Sequence, residues 1–221
     1  MFTAIIPVKA KSSRLPGKNT LPFGDSNLLI HKIRQLKQVD EISEIIVSSD
    51  SPAMLEMATL EKVRAEKRPD DLADESRPLR DFVCYAASLV HTTHFMWTPV
   101  TTPFLDRAFY SLAIKQYLKA LDNQYDSLTT TLPFKSLLLD EKGPFNFNPD
   151  LDITNSQDAA PMDLWTCGCS IITRELALRI GHYFGSKLFR MEVTPYQAID
   201  IDNTFDYEVA KAMWNIYGIK K

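Results

Sequence analysis

Four cations, Lys9, Lys11, Arg14 and Lys18, lie close together near the start of the chain, with Ser12 and Ser13 among them. Pro16-Gly17 forces a turn within the same stretch. Cations this close repel one another unless an anion sits between them. A polyphosphate has the matching charge and hydrogen-bond demand: the cations neutralise its oxygens, while hydroxyls and backbone N–H groups supply further donors. Near the other end, Asp200 and Asp202 flank Ile201. In a strand, residues i and i+2 share a face, so the two carboxylates would be presented together. A divalent cation relieves their repulsion. Hard oxygen donors suit magnesium (Mg2+) or manganese (Mn2+), and magnesium typically takes one or two carboxylates plus substrate phosphates. Each set also fits a plainer reading. The loop fits a solvated basic surface, and Asp202-Asn203 fits the start of a helix holding Val209, Ala210 and Met213.

The elements around these residues have their own signals. The apolar run over residues 2–7 reads as a buried strand, and Leu28-Leu29-Ile30, Ile33 and Leu36 recur at helical spacing. A first strand therefore delivers the cationic loop to a sheet edge. In open α/β sheets, ligands bind beyond the carboxyl ends of the strands. Neither the Walker A motif nor the Rossmann glycine fingerprint is present. Glu44-Ile45-Ile46-Val47 reads as a second strand ending in Ser48-Ser49-Asp50, and Ser51-Pro52 opens a helix as N-cap and first turn. A short strand over 63–67, a loop at Arg68-Pro69, a helix over 79–89, a strand over 94–98, a helix over 108–121 and a strand over 125–132 follow. This alternation predicts an α/β fold with a mostly parallel central sheet and crossover helices. Beyond Pro133, Gly143-Pro144 and Asn148-Pro149 are turn signals. Residues 135–195 are expected to leave the sheet as an excursion with short strands of its own, inside one domain spanning 1–221.

The composition bounds the function. An apolar content of 45% and a charged content of 24% fit a soluble globular protein. A net charge of −3 argues against a general nucleic-acid surface. No run approaches the ~18 apolar residues of a membrane span, and no hydrophobic segment precedes the first strand, so a cytoplasmic protein is expected. The cysteine count is odd, which argues against a disulfide framework. Cys167-Gly168-Cys169 is too tight for a structural zinc pair and reads as strand residues around a glycine. His91 and His94 alone do not make a metal site.

Ile5-Ile6-Pro7, Lys9, Ser12 and Arg14-Leu15-Pro16-Gly17-Lys18-Asn19 resemble the nucleotide-binding loop of the cytidylyltransferases that make CMP-activated acid sugars, the acylneuraminate and 3-deoxy-manno-octulosonate enzymes. Val47-Ser48-Ser49-Asp50, Arg68-Pro69 with Leu72-Ala73, and Ala198-Ile199-Asp200-Ile201-Asp202 extend the resemblance in matching order. It implies a Rossmann-like nucleotidyltransferase fold with an inserted dimerisation segment, and a homodimer. It implies CTP as donor and a small acidic sugar as acceptor. By the same resemblance, Lys9, Ser12, Ser13, Arg14, Lys18, Asn19 and Arg68 hold the nucleotide. Asp200 and Asp202 hold the metal. Lys9, Arg14, Lys18 and Asp202 carry the catalysis, with no Cys or Ser nucleophile. The acceptor side departs from the pattern. Pro99 stands where the acylneuraminate enzymes have a sugar-contacting glutamine, Asn155-Ser156 replace two arginines before Gln157-Asp158, and Cys167-Gly168 replaces asparagine-glycine. These departures leave room for another NTP, for a phosphorylated non-sugar acceptor, or for a catalytically silent nucleotide-binding protein.

Overall fold

The computed structural model describes residues 1–74, 76–149, 155–156 and 159–218. In chain order the elements are β1 (Phe2–Pro7), β2 (Pro22–Phe23), β3 (Ser26–Asn27), α1 (Leu28–Lys37), β4 (Ile42–Ser49), α2 (Pro52–Leu60), β5 (Arg64–Lys67), α3 (Leu79–Ser88), β6 (His94–Trp97), α4 (Arg107–Asp122), β7 (Ser127–Phe134), β8 (Leu139–Asp140), β9 (Gly143–Pro144), β10 (Met162–Thr173), α5 (Arg174–Ile180), β11 (Leu188–Glu192) and α6 (Thr204–Met213). The helix starts follow side-chain chemistry. Asn27, Ser51, Asp106 and Thr173 each accept a hydrogen bond from the first turn of α1, α2, α4 and α5, respectively.

Seven strands form one sheet in the order β11-β7-β10-β6-β1-β4-β5. β1 pairs in parallel with β4 and β6, β4 with β5, and β7 with β11. β10 runs antiparallel to both its neighbours, β6 and β7. Alternate residues of β1 supply two cores. Ala4 and Ile6 join a cluster with residues of α1, α2, α4 and α6, whereas Ile5 joins one with residues of α3 and α5. The result is the predicted sheet with helices on both faces. His94 stacks on Phe2 at 4.6 Å and bonds Tyr117 Oη through Nδ1 at 3.3 Å, which makes it a packing histidine.

The expected excursion over 135–195 is shorter in the structure. The chain rejoins the sheet at Met162, where β10 begins; α5 then packs on one face and β11 pairs with β7. The departure from the sheet lies between β7 and β10, where β8 and β9 form a two-stranded ribbon. The apolar alternation of β10 is hidden in the sequence because its register shifts between Trp165 and Ser170. Gln157 and Asp158 lie outside the described residues.

A lysine sits in the core. Lys32 lies on the buried stripe of α1 with Leu28, Leu29, Ile33 and Leu36, and is fully buried. Its Nζ donates to the Thr102 carbonyl at 2.9 Å and to Tyr110 Oη at 2.7 Å. Burial pushes the ammonium down from 10.5 to about 7, against a small upward pull from Cys169. Between these values the unfolded chain binds a proton that the folded chain has released, so stability rises with pH there. Wild-type protein should gain on the order of 1–2 kcal/mol relative to Lys32→Met between pH 7 and 9, read from urea denaturation at each pH.

Candidate active site

From β1 the chain first builds outward through β4 and β5, and only later adds β6 on the other side of β1. Beside β1, therefore, consecutive crossovers part to opposite sides and leave a crevice at the carboxyl ends of the strands. The cationic loop begins there and is fastened from both ends. Val8 N donates to Ser48 O at 3.1 Å, and Ala10 N to Asp50 Oδ1 at 2.8 Å. Leu15 is buried in the core. Gly17 turns the chain at φ +66°, in the left-handed region that glycine adopts without strain. Asn19 is buried, and its side-chain amide donates to Lys9 O at 2.9 Å. With the apolar and amide groups spent on fastening, the loop carries its cations and hydroxyls toward the crevice.

Lys9, Ser12, Ser13, Arg14, Lys18, Asn19 and Arg68 all line one cleft of about 540 Å³. An adjoining cleft of about 780 Å³ shares Lys9, Ser12, Ser13 and Asp74, and adds Lys11, Asp50 and Asp70. The structure thus brings together every residue expected on the nucleotide side. Two of them also have structural duties. Asn19 closes the loop on itself, as above. Arg68 is 4% exposed; it donates through one Nη to Val8 O at 3.0 Å and Ser48 O at 2.8 Å, and its guanidinium lies 3.7 Å from the Phe82 ring centre. It therefore joins the ends of β1 and β4 beneath the cleft. Burial lowers its pKa to about 10, so it stays charged at neutral pH.

Asp200 and Asp202 lie in an irregular segment before α6, not in the expected strand. Ile201 is fully buried, and its N–H donates to Thr101 O at 2.9 Å, fixing the segment against the loop after β6. The helix start is built without the Asp202 side chain. Asn203 caps α6, and the Asp206 carboxylate accepts from the N–H groups of Asp202 and Asn203 at 2.9 and 3.0 Å. The Asp202 carboxylate is thereby released toward the cationic loop. It accepts from Arg14 Nη1 and Nη2, both at 2.8 Å, and from Lys18 Nζ at 3.0 Å. Two of the four loop cations and one of the two carboxylates meet in a single cluster.

Asp200 is mostly buried. Desolvation holds its carboxyl above the usual range, Thr101 opposes this through a hydrogen bond, and Asp202 adds repulsion. Its Oδ1 is buried without a hydrogen-bond partner. A hard cation would satisfy that atom, so the donor chemistry here fits magnesium. Among the described residues no cluster of three or more His, Cys, Asp or Glu could hold a metal.

The sequence reading gave no role to Asp50, Thr101 or Lys32, although Asp50 stands in one of the motifs that carry the resemblance. Asp50 holds the loop, Thr101 holds the acidic segment, and Lys32 bonds the residue next to Thr101. Lys32 had a signal of its own, a cation placed four residues after Leu28 and four before Leu36 on an apolar helix face. Cys167, beside the acidic segment, has φ +54°. The left-handed region costs a side chain other than Gly, Asn or Asp roughly 1 kcal/mol, so Cys167→Asn should stabilise the protein by about 0.5–1 kcal/mol. Thermal melts of the two proteins check this, and a lower melting temperature for the variant would refute it.

A cation-lined cleft at the switch point of a mostly parallel sheet places the protein among the α/β nucleotide-binding proteins of Rossmann-like layout. More particularly, the cytidylyltransferase family profile matches residues 3–137, and the chain belongs to that family. The chain is 26% identical over 214 residues to the N-acylneuraminate cytidylyltransferase of Escherichia coli O18:K1:H7, a match covering 94% of this chain and 50% of that protein. It is 42% identical over 55 residues to the CMP-N,N'-diacetyllegionaminic acid synthase of Legionella pneumophila, covering 25% of this chain and 24% of that one. The chain spans about half the length of the first of these relatives. Among solved structures, the CMP:2-keto-3-deoxy-manno-octonic acid synthetase complexed with CTP superposes with a TM-score of 0.71 at 13% identity, covering 97% of this chain and 98% of that one. The 4-diphosphocytidyl-2C-methyl-D-erythritol synthase of Anaerococcus prevotii superposes with a TM-score of 0.68 at 15% identity, over 97% of this chain and 98% of that one. Both likenesses are of fold.

Proposed function

We propose that the protein transfers CMP from CTP to an acidic sugar of the nonulosonate type, or a related small acid, and releases pyrophosphate. The observation that carries this reading is the cluster of Arg14, Lys18 and Asp202 beside a cation-lined cleft of about 540 Å³. The names of the relatives support the cytosine nucleotide and the acidic sugar.

Lys9, Arg14 and Lys18 neutralise the triphosphate, while Ser12, Ser13 and loop N–H groups donate to its oxygens. An acceptor oxygen attacks the α-phosphorus in line, the bond to the departing pyrophosphate breaks, and the acceptor proton leaves to solvent. Charge develops on phosphate oxygens that the loop already faces, so the chain contributes positioning and electrostatic stabilisation. Asp200 and Asp202 would hold magnesium, which supplies further positive charge at the phosphates. Arg14 and Lys18 exchange Asp202 for phosphate oxygens when the triphosphate enters. We also read the exposed Leu137, Leu139 and Phe145 (42%, 72% and 58%) beside the β8–β9 ribbon as the contact of a homodimer, to be checked by light scattering.

The test is pyrophosphate release from CTP, UTP, ATP and GTP, each with and without magnesium, across a panel of nonulosonic, octulosonic and alditol-phosphate acceptors. Release with CTP, magnesium and an acidic sugar is expected. Pro99 at the acceptor edge favours a second reading, a phosphorylated non-sugar acceptor, and turnover with the alditol phosphate alone would establish it. CTP binding without turnover on any acceptor would establish a silent nucleotide-binding protein.

A further inference from the structure

α1 grips the loop after β6 through carbonyl oxygens. His31 Nε2 bonds Pro103 O at 2.9 Å, Gln35 Nε2 donates to Pro103 O at 2.6 Å, and Lys32 Nζ donates to Thr102 O at 2.9 Å. The other side of this loop carries the acidic segment, through Ile201 N–H on Thr101 O at 2.9 Å and the Thr101 hydrogen bond to Asp200. Thr102 Oγ1 meanwhile donates to Gly168 O at 3.4 Å, tying the loop to β10. One side chain in this chain of contacts is costly to place there: Lys32 is fully buried, and its neighbours are Thr102, Tyr110 and the Cys169 thiol. A methionine would fill the same space without the desolvation cost of an amine. The amine is the group whose presence the core itself does not explain.

We propose that Lys32 is a positioning residue for the two carboxylates: by fixing the Thr102 carbonyl it sets Thr101, and Thr101 sets Asp200 and Asp202. It touches neither substrate nor metal. The inference rests on the reading of Asp200 and Asp202 as the magnesium site. Loss of the Nζ bonds frees the loop to rotate the Thr101–Thr102 peptide, and the carboxylates lose their mutual placement while the cationic loop, fastened elsewhere, keeps its own. Binding of CTP and placement of the metal should then separate.

Lys32→Met tests this through melting temperature, CTP affinity without metal, manganese affinity by electron paramagnetic resonance, and the magnesium dependence of turnover. Expected are an unchanged or raised melting temperature, metal-free CTP affinity within twofold of wild type, and manganese affinity and half-saturating magnesium each weakened at least tenfold. Unchanged manganese affinity in a folded variant overturns the proposal. So does a parallel loss of melting temperature, CTP affinity and metal affinity, which marks a merely structural lysine. If Lys32→Met does not fold, Lys32→Leu, which also removes the donor to the Thr102 carbonyl, takes its place with the same expected split. Wild-type protein that binds no manganese with CTP present would fail the metal-site reading itself, a result distinct from a normal wild type and an unaffected variant.

Discussion

Asp202→Asn should reduce pyrophosphate release by about 10²–10³-fold, the usual cost of losing one well-placed electrostatic group, while tightening CTP binding measured without metal. The two effects come from the same contacts. In the free protein the Asp202 carboxylate holds both Nη atoms of Arg14 and the Nζ of Lys18, so the triphosphate must displace it. An amide keeps the shape but not the charge, and leaves both cations to the incoming phosphates. On the proposed site, turnover falls because one of the two carboxylates that would hold magnesium is gone. Stability changes little. The Arg14–Asp202 pair is solvent-exposed, with side chains 65% and 36% accessible, and exposed pairs contribute little to folding. The cap of α6 is also intact, since Asn203 and Asp206 provide it. Isothermal titration with CTP in chelator, beside a pyrophosphate assay with magnesium, reads both halves. Weaker metal-free binding would mean that Asp202 orders the cations instead of competing for them.

The first half of the fold was legible because β1 and β4 carry apolar runs separated by helices, with Ser51-Pro52 the clearest helix start. The site was legible for the same reason: the cationic loop follows the first strand directly, and the fold leaves such a loop one place to go. The second half was obscured where β10 loses its alternation, between Trp165 and Ser170. Its Gly168 answers to packing, not to turn geometry: a Cβ there would come within 2.9 Å of Leu105 Cδ1. The strand expected at Asp200–Asp202 failed for a local reason. The Ile201 N–H donates one bond to the Thr101 carbonyl, and the chain then commits to the Asn203 cap, so no ladder forms. Both carboxylates still bear on the site, because Ile201 is held between them. The roles of Asn19 and Arg68 could not be separated by sequence. A residue that lines a cleft and one that holds the cleft together carry the same signature until their hydrogen bonds are seen.

Arg68 shows this at its largest expected effect. Arg68→Met should lower the melting temperature of the nucleotide-free protein by roughly 6–12 °C, the equivalent of about 3 kcal/mol for a domain of this size. The removed guanidinium leaves Val8 O without the Arg68 donor, takes from Ser48 O one of its two donors (the Val8 N–H stays), and leaves the Phe82 ring without its cation. Stranding a buried acceptor costs more than the bond itself contributes, about 1–3 kcal/mol. These two acceptors sit at the ends of β1 and β4, where the cationic loop departs, so CTP affinity should fall as well. Arg68→Lys separates the two roles. One ammonium can reach one of the carbonyls but cannot stack its plane on Phe82. Half or more of the stability loss should therefore persist, although the charge beneath the cleft is restored. Were Arg68 only a nucleotide contact, both variants would melt like wild type without CTP, and the lysine would recover most of the affinity. Calorimetry of the three proteins, with and without CTP, decides between these outcomes.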